Sequence, residues 1–162
     1  MCLVVTNKEK KEADSVIKCY KVVKYTAQDG YKTPCTEFNI SMPIIKGERL
    51  LIALGDEFIR DNDFEHYTEV DGGFIHVFET KTSAALYADI LNMFNSCPNG
   101  YEYKVFKCII PKGTKYYKGT FNYYCGKMSC YAAKQVMFCE EIDWREVLKS
   151  GIMNALITTN HG

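Results

Sequence analysis

The sequence lacks any apolar run approaching the roughly 20 residues that a membrane-crossing helix needs, so no such span is predicted. It also lacks an excess of charge of either sign. Its 20 basic residues are matched by 20 acidic ones, which removes any general attraction to a polyanion and excludes broad nucleic-acid or membrane-surface binding. Nucleotide-phosphate loops are missing. There is no G-x-x-x-x-G-K-[ST], and Gly72-Gly73 precedes a strand-like segment rather than a helix.

Metal chemistry is equally short of ligands. Histidine occurs at three positions, His66, His76 and His161. There is no C-x-x-C, and the spaced pair Cys125 and Cys130 has no second pair of Cys or His nearby. A zinc deaminase needs H-x-E followed by P-C-x-x-C. His76-Val77-Phe78-Glu79 has one residue too many. Asp61-Asn62-Asp63-Phe64-Glu65 alternates like a calcium loop, but position six is His66 and position twelve is Gly72, so the EF-hand pattern fails. No metal, cofactor or catalytic residue is assigned.

Cysteine, by contrast, is plentiful, with eight: Cys2, Cys19, Cys35, Cys97, Cys108, Cys125, Cys130 and Cys139. The opening residues Met1 to Thr6 run quickly into charge and do not read as a secretory leader. Cys19, Cys108 and Cys139 fall inside strand-like segments, where a thiol behaves as a small buried hydrophobe. The expectation is reduced thiols in a cytoplasmic protein.

The chain length suits a single domain over residues 1–162, with 1–14 and 158–162 loose. Val16 to Tyr25, Gly47 to Leu54, Phe74 to Phe78, Tyr101 to Ile110 and Gln135 to Cys139 read as strands, being β-branched, aromatic and bounded by turn residues. Lys115 to Tyr124 reads as a short strand or a decorated loop, and Asp56 to Asp71 as a long acidic loop. A helix follows Thr80 or Thr82, because Ala84, Tyr87, Ala88, Leu91 and Phe94 share one face. Asp143 caps a second helix from Trp144 to about Ile157, with Glu146 in place for a capping box. The pattern predicts an α+β fold, with a mixed or mainly antiparallel sheet of about six strands and two main helices.

Two segments carry a resemblance. GGFIHVFETKTSAALYA, residues 72–88, and KCIIPKGTKYYKGTF with YAAKQVMF, within residues 107–138, resemble small uncharacterised proteins of bacteriophages and gut bacteria. A more distant likeness is to ADP-ribosyltransferases, in which a His-bearing strand precedes a helix and a later strand ends in Pro-x-Gly. That likeness would put His76 beside nicotinamide and Ile110-Pro111-Lys112-Gly113 at the late turn. The strand that should bring a catalytic Glu instead reads Ala132 to Phe138, with Glu140 and Glu141 at its far end.

The resemblance, the tyrosine-rich segments at 101–103, 116–117 and 123–124 and the missing catalytic set together lead to the expectation of a non-enzymatic, phage-encoded anti-defence protein working in the host cytoplasm. It would sequester a small nucleotide-like ligand or block a host defence protein; the alternative is an ADP-ribosyltransferase-like enzyme. The candidate ligand-binding residues are His76, Tyr101, Tyr103, Lys112, Lys115, Tyr116, Tyr117 and Tyr124. Tyrosines would stack on the ligand and lysines would meet its phosphates.

Overall fold

A computed structural model describes residues 3–5, 9–34, 39–40, 49–94, 100–123 and 126–151. Its strands, in chain order, are β1 (Leu3–Val5), β2 (Lys11–Glu12), β3 (Ile17–Thr26), β4 (Gly30–Lys32), β5 (Asn39–Ile40), β6 (Arg49–Ile52), β7 (Ile59–Asn62), β8 (Tyr67–Val70) and β9 (Ile75–Phe78). After the helix α1 (Lys81–Phe94) come β10 (Glu102–Ile110), β11 (Lys115–Tyr123), β12 (Gly126–Ala133) and β13 (Gln135–Ile142). A second helix occupies residues 144–151 of the described chain.

The expectation of an α+β fold with about six strands is overturned. Among the described residues, 13 strands form one sheet, in the order β6-β13-β10-β3-β9-β12-β11-β1-β8-β7. β2 pairs with β11, and β4 joins β3 to β5. Every registered pair is antiparallel.

The discrepancy has local causes. The acidic stretch 56–71 is not a loop throughout but contains the hairpin β7–β8, whose charged residues face solvent while Thr68 and Val70 are buried. Its turn is held by Asn62 Oδ1, which accepts from the amides of Phe64 and Glu65, and by His66 at φ 57°. The Tyr-rich segment after Pro111 and the stretch beyond Cys125 are two long paired strands, β11 and β12. The residues expected to be loose at the start include β1, which lies inside the sheet between β11 and β8.

The central strands bury residues on both faces, which explains why β9 is buried at every position and shows no in–out alternation. One face carries Leu3, Val5, Val22, Val70, Phe78 and Val105, covered by the small-residue face of α1 (Ala84, Ala85, Ala88) and by Trp144. The other carries Cys19, Val23, Val77, Phe106, Cys108, Ile110, Val136 and Phe138. Successive residues of β10 divide between them, Val105 to the first and Phe106 to the second, as pleating requires.

Thr80 caps α1, its Oγ1 accepting from the amide of Ser83 at 3.2 Å. Asp143 caps the second helix through the amides of Arg145 and Glu146. Glu146 itself pairs with Lys149. Trp144 anchors that helix by donating its indole N–H to the carbonyl of Tyr103 at 2.9 Å.

Two glycines are required by their surroundings. Gly119 of β11 passes against β1 so closely that a Cβ there would overlap the Val4 carbonyl. Gly73, at φ 80°, abuts the segment entering β7, where a Cβ would lie 2.7 Å from the Asp56 carbonyl. Lys134 seals the same corner, donating to the carbonyl of Gly73 at 2.7 Å and pairing with Glu57, which Lys10 also grips. The two lysines, Lys10 largest among the causes, hold the Glu57 carboxyl below its ordinary range.

Candidate functional site at the β3–β4 hairpin

The residues expected to bind a ligand do not converge. His76 is buried, with its ring nitrogen Nε2 3.0 Å from the carbonyl of Asp71. The in-register residue on β12 is Ala132, whose small side chain leaves room for the imidazole. Burial pushes the imidazole down from 6.5 to about 4, so the ring is neutral and committed to the fold. Its Nδ1 is buried without a hydrogen-bond partner.

Tyr103 is buried under α1 and Trp144. Tyr117 is buried on that same face, edge-on to Phe74 at 5.5 Å. Tyr116 lies on the opposite face, edge-on to Tyr131 at 5.8 Å. Lys115 is exposed and sits 3.8 Å from Glu12, and Lys112 is exposed in the turn after β10. Tyr124 lies outside the described residues.

Tyr101 is the exception. It belongs to an aromatic and lysine cluster around the β3–β4 hairpin whose other members the sequence reading missed. The hairpin register places Tyr31 opposite Tyr25, and their rings meet at 4.6 Å between centroids. Tyr31 then packs edge-on against Phe106 at 5.8 Å, which ties the pair to the core. The ammonium of Lys104 lies 4.9 Å from the Tyr25 ring and 3.4 Å from Glu141.

By strand alternation Lys24 projects to the other side of the sheet from Tyr25. There it sits 4.8 Å from the Tyr101 ring. On that side Tyr101 also donates its hydroxyl proton to Asp29 at 3.1 Å, and Lys32, the register partner of Lys24, lies 4.0 Å from the same carboxylate. Asp29 is in turn fixed by its amide, which donates to Thr26 Oγ1 at 2.9 Å.

The electrostatics are balanced and mild. Burial, with neighbouring acids, raises the Tyr31 hydroxyl above its usual range and keeps it protonated. Burial opposes the charge on Lys104, but Glu141, Tyr31 and Glu102 together outweigh it, and the group is held above the ordinary lysine range. Half-buried rings flanked by cations can stack on a planar group and meet an anionic one. The cluster contains no thiol, imidazole or serine hydroxyl to act as a nucleophile. The sequence did carry one signal for it: Asp29-Gly30 between Tyr25 and Tyr31 spells a hairpin turn that would bring those two tyrosines together.

Among the described residues, no group of three or more His, Cys, Asp or Glu is arranged to hold a metal ion. None of their helices is long and apolar enough to cross a membrane. Comparison with known proteins finds no matching family model, no matching curated protein and no matching solved structure.

Proposed function

We propose that this is a non-enzymatic binding protein whose recognition surface is the β3–β4 hairpin with Tyr25, Tyr31, Tyr101, Lys24 and Lys104. The carrying observation is the tyrosine pair at 4.6 Å with a lysine ammonium over one of its rings. Tyrosine offers a large, stiff contact area that also hydrogen-bonds, which is why binding surfaces favour it. A nucleotide-like ligand would stack its base on the Tyr25–Tyr31 pair and place its phosphate by Lys104. The resemblance of residues 72–88 and 107–138 to bacteriophage proteins supports an anti-defence role, in which the captured ligand is a nucleotide signal or the target is a host defence protein.

Thermal melting with ADP-ribose, NAD and cyclic dinucleotides tests the ligand reading. A ligand present at one hundred times its Kd adds about 2.7 kcal/mol of stability. The expected result is a raised Tm with at least one of these compounds, lost in Tyr25→Ala. An unchanged melt with all of them would retire the nucleotide-like ligand. Retention of a bacterial defence protein by the wild type but not by Tyr25→Ala would then point to the protein target, and its absence would retire both.

A further inference from the structure

Three cysteines come together on adjacent strands in a way the fold does not require. Cys19 of β3 and Cys108 of β10 are direct partners in the antiparallel ladder. The next strand, β13, is irregular at this level. Lys107 pairs with Glu140 and Cys108 with Phe138, which leaves Cys139 as the extra residue of a bulge opposite the Lys107–Cys108 step. Cys19 and Cys108 are fully buried, whereas Cys139, expected to be buried with them, is exposed.

The spacing suits a covalent bond. Residues opposite one another in an antiparallel pair have Cα atoms about 4.5–5.5 Å apart, inside the roughly 4.4–6.8 Å that a disulfide spans. A bulge sets two residues against one partner, so Cys139 shares that proximity to Cys108. Cys139 also lies within electrostatic reach of both buried thiols. Cys108 points its S–H at the Phe106 carbonyl at 3.5 Å, and Cys139 points its own at the Met137 carbonyl at 3.9 Å.

We propose that Cys139 and Cys108 form an oxidation site for hydroperoxides, in which the exposed thiol reacts first and the buried one closes a disulfide between β13 and β10. In the first step the Cys139 sulfur attacks a peroxide oxygen. The O–O bond breaks, Cys139 becomes a sulfenic acid, and an alcohol or water leaves with the thiol proton. In the second step the Cys108 sulfur attacks the Cys139 sulfur, the S–O bond breaks, and water leaves with the Cys108 proton. Two thiols are thereby oxidised by two electrons and one peroxide is reduced. A small-molecule thiol reverses the bond by exchange.

Burial sets the kinetics. It pushes the Cys108 thiol well above its ordinary range, so little thiolate is present at neutral pH. Closure is therefore the slow step, and its rate rises about tenfold per pH unit, because the thiolate is the attacking form.

The test uses the full chain with Cys2, Cys35, Cys97 and Cys125 replaced by serine, so that Cys19, Cys108, Cys130 and Cys139 remain. It is treated with hydrogen peroxide and followed by intact mass and non-reducing peptide mapping. The expected result is a loss of two hydrogens, a linked pair of peptides containing Cys108 and Cys139, and reversal by dithiothreitol. Cys139→Ser should abolish the bond and Cys19→Ser should leave it. Raising the pH from 7 to 8 should speed closure about tenfold. Oxygen addition at Cys139 with no link, or a link joining Cys19 to Cys108, would overturn the proposal.

Discussion

The ammonium of Lys21 donates a hydrogen bond of 2.9 Å to the main-chain carbonyl of His76, inside the protein. The contact sits where β3 meets β9, a junction registered at the single pair Tyr20 and Phe78. The two strands part beyond it, and the long lysine side chain reaches across to an acceptor that a strand amide would otherwise meet.

Lys21→Ala removes that donor and leaves a buried carbonyl without it. Hydrogen bonds to charged groups contribute about 1.5–3 kcal/mol, and an unsatisfied buried acceptor adds to the cost. The expected loss is about 2–4 kcal/mol in urea unfolding. A loss below about 0.5 kcal/mol would mean that the seam closes without the lysine.

His76 makes stability depend on acidity. Its folded-state value of about 4 lies below the ordinary 6.5, so the unfolded chain binds its proton more readily. The associated stability is fully present above pH 6.5 and is lost as the pH falls through 4. The gap corresponds to at most about 3 kcal/mol. His76→Gln keeps a donor for Asp71 but cannot titrate. Urea midpoints measured from pH 7 to 4 should fall less steeply in this variant than in the wild type, and equal slopes would remove His76 as the cause.

Gly119→Ala puts a methyl group into the Val4 carbonyl. Overpacking of this kind costs about 1–3 kcal/mol. Because β1 is the link between β11 and β8, amide exchange should quicken in β8 as well as at the mutated position. Unchanged exchange in β8 would mean that β1 shifts to accommodate the methyl.

Trp144→Phe preserves most of the ring but deletes the N–H that reaches Tyr103. The buried carbonyl loses its donor, at a cost of about 1–3 kcal/mol. Calorimetry should show a lower Tm, while the affinity for any ligand of the hairpin surface should be unchanged.

Where the chain is strongly patterned, the sequence was readable. Strand β3, strands β9 and β10, the capped helix α1 and the Asp143 cap were all expected close to where they occur. What escaped was polar strand. Ile59 to Asn62 is an edge strand that buries almost nothing, so neither period nor hydrophobicity marks it. β12 opens with Gly126, Lys127 and Ser129, and its character emerges from pairing with β11 and β9 rather than from its own residues.

The candidate site was legible in one residue of five. Tyr101 was singled out, but Tyr25 and Tyr31 meet through hairpin register, and Lys24 and Lys104 meet their rings through neighbours on other strands. Tyr103, Tyr116 and Tyr117 looked equivalent to Tyr101 in the sequence, yet pleating turned Tyr103 and Tyr117 into the core on the α1 side and left Tyr116 half-buried on the opposite face.

The hairpin β7–β8 joins the sheet through the three residues Leu3 to Val5, which pair with β8. Their other neighbour, β11, is synthesised more than a hundred residues after them. Until that partner arrives, the segment has one flank open, and the hairpin beside it has nowhere to dock. Maturation of this side of the molecule is thus tied to the completion of its distant half, a long-range dependence that favours slow folding.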